Sequence, residues 1–149
     1  MNVVILENIR SAYNVGNIIR SADALRWNVR LTGYTPSPED TPKVKKTSLG
    51  AEETTWIKQF NTTLDAIAYA KEQWMKVIAA EVTEWALKLD EFSQKSNKEI
   101  WIAVVFGNEV DGVLSTTLKV VDTVVYIPML WVKESLNVGQ TSAIFMYVL

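Results

Sequence analysis

Apolar and polar positions along the chain follow two alternating rhythms. Residues 3–6 are a short β-branched apolar run that predicts a strand, and after a polar loop Ile18, Ile19, Ala22 and Leu25 recur at helical spacing across 16–25. Residues 28–32 predict a second, weaker strand, while 33–42 carry three of the four prolines among Ser, Glu and Asp and predict an irregular loop. Residues 54–60 are rich in β-formers, and Asn61 or Thr62 is placed to cap a helix beginning near Leu64, with Ala66, Ile67 and Ala70 on one face. Residues 75–80 and 100–106 are near-continuous apolar runs separated by an acidic, amphipathic stretch, 81–98. Strands apolar on both sides belong to parallel sheets covered by helices on both faces. A short helix over 115–121, a last strand over 124–127 and an apolar final helix over 138–149 complete the pattern.

Strands alternating with helices imply an α/β fold with a mostly parallel sheet and helices on both faces. No linker or internal repeat divides residues 1–149, so one domain is expected, with no appended RNA-binding domain. Ligands of such sheets sit beyond the carboxyl ends of the strands, which directs attention to the loops after Leu6, Phe106 and Ile127.

Composition narrows the chemistry. The chain has 149 residues, 48% hydrophobic and 21% charged, with neither Cys nor His. Disulfides, thiolate nucleophiles, imidazole catalysis and the common zinc sites are therefore excluded, and no metal is expected. The longest apolar run, 100–106, is far too short to span a membrane, and no signal-peptide pattern opens the chain, so a cytoplasmic protein is expected. A net charge of −2 advertises no broad nucleic-acid-binding surface.

Three segments carry candidate chemistry. In the first, Asn14 and Gly16 are read as loop residues before a helix whose first turns carry Arg20, an arrangement suited to a phosphate or a ribose edge and equally to a plain helix cap. The second, Phe106-Gly107-Asn108-Glu109-Val110-Asp111-Gly112, follows the most hydrophobic strand. Gly107 would let backbone approach a ligand, although two glycines also suit an ordinary turn, and the ligand spacing of a calcium loop is missing. The third runs from Ile127-Pro128-Met129 through Trp131 to Ser135-Leu136-Asn137, where Ser135 or Asn137 is a plausible N-cap of the last helix.

Taken together, Asn14-x-Gly-Asn-x-x-Arg20, Phe-Gly-x-Glu-x-x-Gly and Ile-Pro-Met followed by Ser-Leu-Asn resemble, in order and spacing, the three motifs of the SpoU (TrmH-like) tRNA/rRNA ribose 2′-O-methyltransferases of the SPOUT superfamily. Residues 46–52 resemble a further family segment. The resemblance implies a C-terminal deep trefoil knot, an exception to the rule against knotted chains. It also implies S-adenosyl-L-methionine as cofactor, held at Gly107, Ile127, Met129 and Leu136, and methyl transfer to a ribose 2′-hydroxyl, with tRNA the expected substrate and rRNA the alternative. Arg20, Asn14, Glu109, Ser135 and Asn137 match the family's catalytic positions. A literal base role does not suit Arg20, because a guanidinium has almost no neutral form at pH 7; a clamp on an RNA phosphate does.

A homodimer is implied too, for which the apolar final helix and six Trp are suited. Trp131 stands where the family commonly has Gly, and would either crowd the cofactor loop or stack on a base. The final helix stops at Leu149, short of the polar tail usual in relatives, and the basic residues expected to gather for RNA are Arg10, Arg20, Arg26, Arg30, Lys43, Lys45 and Lys46. The rival readings are a non-catalytic knotted RNA- or nucleotide-binding module and a flavodoxin-like phosphate-binding protein.

Overall fold

Residues 1–149 are described by a computed structural model in which seven strands form one fully parallel sheet. In chain order the strands are β1 (Val3–Glu7), β2 (Asn28–Thr32), β3 (Ile57–Phe60), β4 (Lys76–Ala80), β5 (Leu87–Lys88), β6 (Ile102–Phe106) and β7 (Thr123–Tyr126). Their order across the sheet is β3-β2-β1-β6-β4-β7-β5. The helices are α1 (Ala12–Leu25), α2 (Pro42–Ser48), α3 (Thr63–Glu72), α4 (Leu89–Lys95), α5 (Ser115–Leu118) and α6 (Val138–Val148), with a 3-10 turn at Ala51–Glu53. No helix is long and apolar enough to cross a membrane.

The central strands β1 and β6 are buried at every position, as their unbroken apolar runs require of strands covered on both faces. Alternate residues feed two cores. Val4, Leu6, Val104 and Phe106 pack with Ile18, Ile19, Phe92 and Phe145 from α1, α4 and α6. Val3, Ile5, Ala103 and Val105 pack on the other face with Ala66, Ile67 and Ala70 of α3. The Phe106 and Phe145 rings meet edge to face at 5.5 Å, tying α6 to the sheet centre.

Several elements depart from the sequence expectation. Helix α1 begins at Ala12, capped by the Ser11 hydroxyl, which accepts from the Asn14 N–H at 3.2 Å. Asn14 and Gly16 are therefore helical, and Arg20 lies in the third turn of α1. Gly16 serves packing: a Cβ there would run into the Thr47 hydroxyl and the Val44 carbonyl of α2, so the two helices touch backbone to side chain. The expected anion site at this glycine is thus filled by α2. Helix α2 itself escapes the periodicity, since in seven residues it buries only Val44 and Ser48, and its Pro42 at the first turn reads equally as a loop residue. Thr62, not Asn61, caps α3. Arg30 is 1% exposed on β2, which removes it from the basic residues expected to meet RNA.

Candidate active site

The carboxyl ends of β4, β6 and β7 open into a cavity of about 610 Å³, walled by residues 80–82, 106–112, 125–127 and parts of 129–145. Its apolar wall includes Val125, Ile127, Leu136 and Phe145. Its charged residues are Glu81, Glu109, Asp111 and Glu134, with no Lys or Arg among the lining side chains. An acidic and apolar wall favours a cationic ligand with a flat apolar part and disfavours a phosphate, which counts against the flavodoxin-like alternative.

Three segments distant in the chain are joined beside this cavity by one hydrogen-bonded relay. The Glu109 carboxylate accepts from the backbone N–H groups of Arg10 and Ser11, each at 3.0 Å, and from Asn14 Nδ2 at 3.2 Å. Asn14 Oδ1 accepts in turn from Asn137 Nδ2 at 3.1 Å, and Asn137 Oδ1 caps α6 by accepting from the Gly139 N–H at 2.8 Å. Partial burial pushes the Glu109 carboxyl up. The N–H donors of Arg10, Ser11 and its own backbone, with the Asn14 amide, outweigh that push and hold it below the usual carboxylate range.

Of the residues singled out in the sequence, Gly107, Glu109, Ile127, Met129, Ser135, Leu136 and Asn137 all line the cavity. Asn14 stands behind the wall, buried, and reaches the cavity through Glu109 and Asn137. Arg20 is exposed and not part of the wall. It lies six residues beyond Asn14, about 9 Å along the helix axis. Gly107 is required by its own loop, because a Cβ would strike the backbone of Gly112 and Val113. Trp131 is 90% exposed and outside the cavity wall, so it does not crowd the pocket.

Glu81 and Asn108 are among the wall residues that the sequence did not single out. Glu81 follows β4 as Glu109 follows β6, a carboxylate just past a buried strand end, and that parallel was the available signal. Its oxygens accept from the N–H groups of Val82 at 2.9 Å and Val113 at 3.1 Å, joining the loops after β4 and β6. Asn108 is buried and fully used: Nδ2 donates to the Asn8 carbonyl and the Tyr34 hydroxyl, both at 2.8 Å, while Oδ1 accepts from Val110 and Asp111. No group of three or more acidic side chains is placed to hold a metal ion.

The model of the SpoU rRNA Methylase family matches residues 1–147. The tRNA (guanosine(18)-2′-O)-methyltransferase of Escherichia coli K12 is 27% identical over 144 residues, which cover 97% of this chain and 60% of that protein. The 23S rRNA (guanosine-2′-O-)-methyltransferase of Acinetobacter baylyi is 27% identical over 143 residues, covering 95% of this chain and 56% of that protein. Among solved structures, the AdoMet-bound rRNA methyltransferase of Sinorhizobium meliloti superimposes with a TM-score of 0.87 at 24% identity, over 99% of this chain and 54% of that one. The chain therefore spans little more than half the length of these relatives.

Proposed function

The chain belongs to the SpoU rRNA Methylase family, and from that premise we propose that it is an S-adenosyl-L-methionine-dependent RNA methyltransferase that modifies a ribose 2′-hydroxyl in tRNA. The observation that carries this reading is the relay Glu109–Asn14–Asn137, which ties the three motif segments together at the acidic, apolar cavity. The cavity's residues fit the cofactor's net positive charge: a wall with four carboxylates and no cation suits a ligand whose sulfonium and ammonium charges outnumber its single carboxylate. Val125, Ile127, Leu136 and Phe145 would take its apolar ring, and residues 107 and 129 its polar edge. When bound, S-adenosyl-L-methionine supplies a methyl group activated by the sulfonium charge.

The chain's own residues then position and hold. With both oxygens engaged, Glu109 positions the loop 107–112 against the start of α1, and Asn14 holds Glu109 and Asn137 together. Ser135 and Asn137 stand at the mouth of α6, where a target ribose would lie. Arg20 grips an RNA phosphate next to that ribose, which suits its exposed place on α1 outside the cavity wall. Arg10, Arg26, Lys43, Lys45 and Lys46 are exposed on and around α1 and α2 and supply the positive surface that net charge conceals. Trp131, free in solvent, is available to stack on a base.

The C-terminal trefoil knot and the homodimer are part of the same proposal. β7 is paired between β4 and β5, inside the arc of chain that runs β4-β5-α4-β6, and α6 then packs against both α1 and α4; this supports threading. The exposed Leu130 and Val132 beside the cavity, with Tyr147 on α6, support burial against a second copy. An RNA substrate would put the protein to work in the cytoplasm.

The test is methyl transfer from labelled S-adenosyl-L-methionine to bulk tRNA and to 23S rRNA, with the product digested to nucleosides and analysed by mass spectrometry. Label in 2′-O-methyl nucleosides of tRNA is expected. Label only in rRNA overturns the choice of substrate, and intact cofactor binding without any transfer marks a binding module.

A further inference from the structure

A second groove, of about 450 Å³, lies at the opposite edge of the sheet, where the strands begin. It is lined by Trp56 just before β3, Trp101 just before β6, Tyr69 and Gln73 at the end of α3, and Arg30 of β2. Arg30 is the unusual member. A buried cation is normally paired with a carboxylate, because desolvating the charge is expensive. The molecule's two ion pairs, Lys71 with Asp122 and Lys88 with Glu91, are elsewhere, and no acidic residue lines the groove.

The bonds Arg30 does make leave it under-satisfied. One terminal nitrogen donates to the Ala66 carbonyl at 3.1 Å. The other reaches Gln73 Oε1 at 3.4 Å and the Met75 sulfur at 3.9 Å, both long, and Nε has no partner at all. The guanidinium carbon lies 4.8 Å from the Tyr69 ring centre, and Lys58 Nζ lies 3.9 Å from the same ring, so a second cation shares the aromatic cluster. Burial pulls the Arg30 pKa below the ordinary arginine value, with Tyr69 acting against that pull. Gln73 is exposed and weakly held, a side chain that an incoming acid group can displace. Trp56 and Trp101 are about half exposed at the rim, presenting flat apolar faces to solvent.

We infer that this groove is a second binding site, separate from the cavity at the carboxyl ends of the strands, for a small planar anion: an aromatic or heteroaromatic ring bearing one carboxylate or phosphate. The ring lies against the indoles of Trp56 and Trp101, and the acid group takes the place of the Gln73 amide at Arg30, giving the guanidinium the anion that the chain does not provide. The inference does not rest on the methyltransferase reading.

Titration of the full chain with benzoate and phenyl phosphate, followed by the indole and backbone N–H resonances, tests it; acetate, inorganic phosphate and the neutral isostere benzamide serve as comparisons. One or both aromatic anions should shift the Trp56 and Trp101 indole signals along one saturable curve, with affinity at least about ten-fold above that of benzamide and of the ring-less anions. Trp101→Ala, a change at the exposed rim, and Arg30→Met should each weaken binding by about ten-fold or more, with Trp101→Ala deciding if Arg30→Met fails to fold. Equal binding of benzamide, no saturation by about 10 mM of either aromatic anion, shifts centred on residues 107–112 and 127–137, or unchanged affinity in Trp101→Ala would each overturn the inference.

Discussion

Replacing Glu109 by Gln is the sharpest probe of the relay that joins the three motif segments. The carboxylate accepts three bonds, two at Oε1 from Ser11 N–H and Asn14 Nδ2 and one at Oε2 from Arg10 N–H. A glutamine keeps at most the first two, now as neutral bonds, and sets its own N–H₂ against the Arg10 N–H. Charged hydrogen bonds contribute about 1.5–3 kcal/mol and neutral ones about 0.5–1.5, so one lost and two weakened bonds come to roughly 3 kcal/mol before solvent is considered. Glu109 is exposed, and water both screens the charge and replaces lost partners, which reduces the expected loss to about 1–2 kcal/mol, or about 3–8 °C in Tm. The pH dependence provides the control. Because its folded pKa is depressed, Glu109 contributes fully above the unfolded value of about 4.3, and the contribution is lost as pH falls through the lower folded value. Thermal melts of wild type and Glu109→Gln should differ at pH 7 and converge progressively below about pH 4. Equal melts at pH 7, or a gap that persists undiminished at pH 3, would refute the relay as a charge-assisted latch.

Arg20→Ala should abolish methyl transfer while leaving S-adenosyl-L-methionine affinity, read by calorimetry, within a few-fold, since Arg20 is not part of the cavity wall. Gly16→Ala should destabilise by about 1–3 kcal/mol in urea melts even though alanine is the better helix former, because the added methyl meets α2. Asn108→Ala deletes the partner of four groups and should cost about 2–4 kcal/mol by chemical denaturation, whereas Tyr34→Phe, which removes one of them, should cost less than about 1. Trp74→Gly should raise Tm, since Trp74 is almost wholly exposed yet held at φ 59°, a conformation that costs a non-glycine residue about 1 kcal/mol.

The sheet was legible because its strands are buried on both faces, so that 3–6, 75–80 and 100–106 announce themselves by unbroken apolar runs. The helices were legible only where one face is broadly apolar. Helix α2, with a single buried apolar side chain, and the first turn of α1, where Asn14 is buried by polar bonds instead of apolar packing, carry no such signal. The same limit governs the site. Periodicity directs attention to the loops after Phe106 and Ile127, and the motif resemblance nominates the residues, but side-chain pairing across 95 and 123 positions has no local trace. Arg30 shows the cost of counting charges in one dimension, because an arginine expected to face RNA turns out to sit at the base of a groove on the far edge of the sheet.

The place of β7 between β4 and β5 sets an order of events on the ribosome. When β6 has emerged, β4 has a neighbour on one side only, and the backbone groups of Ile78, Ala79 and Ala80 on the other side wait for residues 123–125. At about 5–20 residues per second that wait lasts about 1–4 s, during which the nascent chain presents a bare, apolar strand edge of the kind that other chains add to. Overexpression yield should accordingly depend on holdase chaperones acting late in translation, and slow codons between positions 106 and 123 should lower it.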